Sequence, residues 1–181
     1  MAVSLTRREA LGGAAAALLL ASCGGGDPPP GGAKPGSGAA LLSSLLALQH
    51  ATVAAYGACE EVLRGEALAE VRAIRAQERE HAGRLEVGIR DLGGEPPAGK
   101  TAEEYARTFP RLRTEADALL FADHLEQRQV RAYLDAIKDF TQAGARATAA
   151  DIGADQAGHL AAIRVLRGLP AAQGPFVTGA L

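Results

Sequence analysis

Tryptophan is absent from this 181-residue chain, methionine occurs once, cysteine twice, and aromatic residues make up only 4% of it. Two cysteines cannot build a disulfide framework. Cys59 lies in an apolar helical stretch and reads as a small core filler. A core so poor in aromatics must be closed by Leu, Ala, Val and Ile, which suits closely packed helices. Beyond the N-terminal leader no 18 consecutive residues are apolar, so a further membrane span is not expected. The formal net charge is −2. Basic residues are interspersed with acids, the pattern of solvated helix faces. No basic patch with interleaved aromatics exists, which argues against a nucleic-acid partner.

The N-terminus carries export signals. Thr6-Arg7-Arg8-Glu9-Ala10-Leu11 is a twin-arginine pattern, and the apolar run from Leu11 to Ala21 is too short to span a bilayer comfortably. Leu20-Ala21-Ser22-Cys23 resembles a lipobox, which makes Cys23 the expected lipidation site. Simple cleavage after a small residue, releasing a soluble protein, is the alternative. Residues 24–39 are rich in Gly and Pro and cannot bury apolar area, so they read as a flexible tether. Residues 1–23 are thus a twin-arginine signal with a lipobox-like end. The expected location is the outer face of the cytoplasmic membrane or the periplasm, with the membrane held through lipidated Cys23. No feature identifies a protein partner.

An internal repeat organises the remainder. Leu48-Gln49-His50-Ala51-Thr52-Val53-Ala54-Ala55-Tyr56 aligns with Leu125-Glu126-Gln127-Arg128-Gln129-Val130-Arg131-Ala132-Tyr133, at an offset of 77. Glu78-Arg79-Glu80-His81 aligns with Gln156-Ala157-Gly158-His159, at an offset of 78. Such repeats constrain architecture before any local detail does. Residues seven apart share a helix face. Gln49 falls on the stripe Leu42, Gln49, Tyr56, Leu63, and Glu126 on Leu119, Glu126, Tyr133, Phe140. Glu78 lies between Val71 and Leu85, His81 beyond Ile74, and His159 between Ile152 and Leu166. Six polar residues, Gln49, Glu78, His81, Glu126, Gln156 and His159, therefore interrupt otherwise apolar stripes. Burying an unpaired charge costs several kcal/mol, so a repeat that buries several implies a shared polar site. A metal or a hydrogen-bonded network would satisfy it.

Four long helices are expected, over about 39–64, 66–92, 114–142 and 145–167, with breaks at Gly65, Gly93-Gly94, Gly144 and Gly168. Thr101-Ala102-Glu103-Glu104 is a capping-box pattern for a short helix, and Thr114 is placed to cap the third long one. Tight connections make the first pair and the last pair antiparallel hairpins. A helix of about 27 residues is roughly 40 Å long. The middle connection of about twenty residues can reach roughly 66 Å, enough to cross back. The expected fold class is all-α: a ferritin-like four-helix bundle over residues 40–168, built from two helical hairpins with a long crossover between the second and third helices, and followed by a tail at 169–181.

On the motifs Leu48–Tyr56, Leu125–Tyr133, Glu78–His81 and Gln156–His159, the chain resembles the exported ferritin-like domain proteins of bacteria. The resemblance implies a metal site made from one Glu on each of two helices and a Glu-x-x-His on each of the other two. Glu78, His81, Glu126 and His159 match that scheme. Gln49 and Gln156 stand where it calls for Glu. A bridging ligand needs two anionic oxygens, and an amide offers one neutral carbonyl. The pattern therefore departs from a full di-metal centre, and oxidase or ferroxidase chemistry is disfavoured. Two outcomes stay open. One is a single Fe, Mn or Zn ion, best held by Glu126, His159 and Glu78. The other is a metal-free structural or interaction module in which Gln49 pairs with Glu126 and Gln156 with Glu78. Asp155 is a substitute ligand if its helix rotates locally; otherwise it faces solvent. Tyr56 and Tyr133 line the site as core residues with one hydroxyl partner each, roughly 10 Å along the helix from its centre. His50 and His124 read as boundary residues.

Overall fold

The computed structural model describes residues 38–172, 174 and 176–179. The twin-arginine pattern, Cys23 and nearly all of the Gly/Pro tether lie outside the described residues. Five helices form among those described: α1 (Gly38–Val62), α2 (Gly65–Asp91), α3 (Ala102–Ala106), α4 (Glu115–Ile137) and α5 (Ala143–Leu166).

Local chemistry accounts for most of the boundaries. Thr101 and Thr114 each close a capping box, with Glu104 and Asp117 as the reciprocal carboxylates. At the end of α2, Gly93 takes a left-handed φ of 74° and the Gly94 N–H returns to the Ile89 carbonyl at 2.9 Å. Gly168 repeats the device after α5, with φ 72° and Leu169 N–H on the Arg164 carbonyl at 2.9 Å. One expectation fails. The third long helix, α4, stops at Ile137 rather than about Gln142, and Gly144 lies inside α5 instead of breaking the chain. Burial explains the early stop. Phe140 turns into the core at 1% exposure, and its carbonyl is taken by the Arg146 guanidinium, 3.1 Å from Nε. A helix continued through 142 would forgo that anchor.

α1 pairs with α2 and α4 with α5, while α1 also packs on α4 and α2 on α5. One apolar cluster gathers Leu42 and Leu46 from the start of α1, Leu85 and Ile89 from the end of α2, Phe140 just beyond α4, and Ile152 from early α5. The opposite cluster joins Leu63, Val71, Leu119 and Ile163. These groupings set α2 and α4 parallel and each hairpin antiparallel, the four-helix bundle with its crossover between α2 and α4. α3, in the crossover, covers α1.

That cover explains the composition of α1, which is long and apolar enough to cross a membrane by length and composition alone. Within it only Ser44, Ala47 and Glu61 are exposed. A helix enclosed on most sides is apolar on most sides. Between the two apolar clusters lies a layer of buried polar side chains.

Candidate metal centre

Each of the six polar residues read from the repeat is buried: Gln49, Glu78, Glu126 and Gln156 at 0% exposure, His81 at 4% and His159 at 5%. They arrive from four helices, α1, α2, α4 and α5. The pseudo-twofold of the repeat is visible in their contacts. The Tyr56 hydroxyl donates to Glu126 Oε1, and the Tyr133 hydroxyl donates to Gln49 Oε1 at 3.0 Å. Each tyrosine thus reaches across to the opposite hairpin. Spacing along one helix set each tyrosine roughly 10 Å from the site, but the bonds run across to the facing helix, so both hydroxyls belong to it.

The expected Gln49–Glu126 pair is not made. Gln49 Nε2 donates to the Glu78 backbone carbonyl at 3.3 Å, and its oxygen accepts from Tyr133 and, at 3.4 Å, from Gln129. Glu126 is satisfied by Tyr56 on one oxygen only. The second expected pair forms, with Gln156 Nε2 donating to Glu78 Oε2 at 3.1 Å.

Glu78 is the hub. Its Oε1 lies 3.0 Å from His159 Nδ1, and its Oε2 lies 3.4 Å from His81 Nδ1. His159 Nδ1 is also 3.9 Å from Glu126 Oε1. One donor atom from each of Glu78, Glu126 and His159 lies within 4.8 Å of the others. A four-coordinate ion with ligand distances near 2.0–2.1 Å separates its ligands by roughly 3.3 Å, so this corner fits one divalent ion with small adjustments. Glu126 Oε2 and Gln156 Oε1 are buried and have no hydrogen-bond partner, oxygens that a cation would satisfy. The other corner does not fit. There the Gln156 amide nitrogen sits 3.4 Å from His81 Nδ1, placing N–H donors where a second ion would need an oxygen. His81 stands outside the three-residue cluster.

The electrostatics separate the two carboxyls. Burial, joined by the charge of Glu78, raises Glu126 well above the ordinary carboxyl range, against the pull of the Tyr56 hydrogen bond. Burial also pushes Glu78 upward, but hydrogen bonds from His159, His81 and Gln156 outweigh it and the net shift is down. For His81 burial acts downward, and the contacts with Glu78 and Asp155 reverse it, so its pKa is raised. Without a metal the core therefore favours a charge on Glu78 and disfavours one on Glu126. Burial and the neighbouring Glu126 raise Tyr56 strongly, so its proton stays on the phenol.

Three participants, Thr52, Gln129 and Gln77, were given no role from the sequence, and Asp155 takes a role other than those expected. Thr52 and Gln129 touch each other at 2.9 Å beside Gln49. Gln77 Oε1 lies 2.6 Å from His159 Nε2, and Asp155 Oδ2 lies 3.2 Å from His81 Nε2. Asp155, half-exposed, thus holds the outer nitrogen of His81 and does not replace Gln156. The signal was present. Thr52 and Gln129 are 77 positions apart and Gln77 and Asp155 are 78 apart, the offsets of the repeat itself. Outer partners of this kind orient a ligating imidazole and settle which nitrogen faces inward.

Residues 38–169 match the family model described as the ferritin-like domain. No curated protein matches the chain. Among solved structures it is similar to a conserved hypothetical protein, rv2844, from Mycobacterium tuberculosis. That match has a TM-score of 0.65 at 18% identity, over 74% of this chain and 99% of the other. At that identity the likeness speaks for the fold.

Proposed function

Because the chain belongs to the ferritin-like domain family, we propose that it is an exported, lipid-anchored bundle that holds a single divalent metal ion of the Fe, Mn or Zn type. The observation that carries the reading is the convergence of Glu78, Glu126 and His159 at one buried corner, where the second Glu126 oxygen lacks a partner. Those three residues would hold the ion. When bound, it supplies a positive charge that balances the two carboxylates and a Lewis-acidic centre in a dry cavity. The chain supplies the rest. Tyr56 fixes one Glu126 oxygen by donating to it, Gln77 accepts from His159 Nε2 and leaves Nδ1 facing inward, and the apolar clusters exclude water. Two amides in place of two carboxylates leave charge for one ion, which argues against a di-metal oxidase or ferroxidase. Export and anchoring are supported by Arg7-Arg8 and by Cys23 in the lipobox-like end. The twin-arginine route carries folded cargo, which permits loading before export.

The amide bonds of Gln156 to Glu78 and of Gln49 to the Glu78 carbonyl favour a second reading, a metal-free interaction module with a polar core. Elemental analysis of the full-length protein, purified without chelator, separates the two. One ion per chain is expected; two ions, or none after exposure to excess Fe, Mn and Zn, would refute the proposal. Cys23→Ser should move the protein from the membrane fraction to the soluble fraction, and unchanged partitioning would refute the anchor.

A further inference from the structure

Between α2 and α5 a cleft of about 270 Å³ opens from solvent and ends on His159. Its walls include Ile74 and four short side chains, Ala73 on α2 and Ala154, Gly158 and Ala162 on α5. Larger apolar residues at those positions would close the gap at normal packing density. At Gly158 the space is open: a Cβ there would meet nothing within 4 Å. The charged residues lining the cleft are Glu70 and Asp155, both acidic. At its inner end Gln77, an exposed residue, covers His159 Nε2 at 2.6 Å. Exposed side chains change rotamer within nanoseconds, so this cover can lift without any movement of the helices.

We propose that this cleft is the route by which a divalent cation reaches and leaves the corner formed by Glu78, Glu126 and His159, with Glu70 and Asp155 drawing cations to the mouth, Gln77 as the movable cover, and a turn of the His159 ring as the last step, because the ring stands between the cleft and its inward-facing Nδ1. The inference rests on the metal-holding reading above. It follows from enclosure as well as from the opening. The apolar clusters close the bundle on both sides of the polar layer, and a cation passing through them would lose its hydration without compensation. The cleft instead offers acidic side chains at its entrance and an amide oxygen at its end, and a mouth of one charge sign raises the local concentration of counter-ions.

The test is stopped-flow uptake of Co(II) alone by the full-length protein, followed by quenching of tyrosine fluorescence. Tryptophan is absent, and two of the three tyrosines donate into the site. Gly158→Leu fills the cleft with a residue that favours helix more than glycine does, so the fold should persist, as circular dichroism will check. Loading is expected to slow by at least roughly tenfold with equilibrium occupancy unchanged, the signature of a blocked gate. Glu70→Gln should slow loading at low salt and match the wild type at high salt. Equal rates for wild type and Gly158→Leu would overturn the route. Reduced occupancy at an unchanged rate would also overturn it, because the cleft would then be part of the binding site. Failure of the wild type to bind Co(II) at equilibrium would sink the metal-holding reading itself, a result distinct from equal rates.

Discussion

Replacing Gln156 by Glu would turn a hydrogen-bond donor into an acid at the most crowded point of the core. The amide now donates to Glu78 Oε2 at 3.1 Å, and the side chain is fully buried. Two carboxylates at that distance repel by about 5 kcal/mol with an effective dielectric near 20. Protonation limits the cost. Keeping a carboxyl of ordinary pKa near 4.3 neutral at pH 7 costs about 4 kcal/mol, less than the repulsion, so the new group takes a proton. Its O–H can then donate to Glu78 as the amide did, and the fold survives.

The sign of the pH dependence follows. The new carboxyl has a raised pKa in the folded state, so the penalty exists above the unfolded-state pKa and disappears below it. At pH 5 only about 1 kcal/mol remains. For a bundle of this size the melting temperature should fall by roughly 15 °C at pH 7 and by only a few degrees at pH 5. Excess Co(II) should reverse much of the loss, since an ion replaces the proton; saturation at 100 times Kd restores about 2.7 kcal/mol. The assay is a set of thermal melts by circular dichroism at both pH values, with Co(II) and with chelator. An equal loss at pH 5 and pH 7, or no loss at either, would refute the placement of Gln156 against an ionised Glu78.

Glu126→Gln should abolish Co(II) uptake in equilibrium titrations while changing stability by no more than about 1 kcal/mol, because burial and Glu78 already disfavour the Glu126 carboxylate and the amide oxygen can still accept from Tyr56; a large destabilisation would mean that the carboxylate's charge supports the fold. Cys59 is pushed up to about 12, chiefly by burial, with its Sγ 3.6 Å from the Ala118 carbonyl. In a Cys23→Ser background the native protein should resist a thiol reagent at pH 8 and react only on unfolding, and fast labelling without denaturant would contradict that burial. Arg167→Ala should cost about 3 kcal/mol in chemical denaturation, because it leaves Asp123, at 0% exposure, with only the Gln127 amide; a change below the error of the melt would show that Asp123 tolerates burial alone.

The helices were largely legible because their boundaries are local. Thr101 and Thr114 carry their capping partners three residues on, and Gly93 and Gly168 stand where a left-handed residue is needed. The end of α4 was not local. Phe140 continues the seven-residue stripe of Leu119, Glu126 and Tyr133, so a helical face and an inward-folded loop predict the same burial for it. What chose the loop was Arg146, six residues away, reaching back to the Phe140 carbonyl. A stripe reports which residues go inside, and it is silent on the backbone that carries them there.

The site shows a related limit. Helical spacing located the six buried polar residues because spacing fixes where a Cα lies. It misassigned partners wherever a side chain is long enough to cross a helix interface. Tyr56 and Tyr133 each bond the opposite hairpin, and through that crossing the two hairpins exchange roles. Tyr56 donates to a carboxyl and Tyr133 to an amide. A symmetric frame thereby presents two unequal corners. Glu78 serves both, Glu126 and His159 complete one, and the Gln156 amide fills the other. If the two Gln residues were Glu, the tyrosine bonds could remain, while the two amide donations to Glu78 would give way to acids that hold a proton or a metal. The capacity of this core for one ion or two therefore turns on four oxygen-bearing side chains within a frame that the repeat leaves otherwise intact.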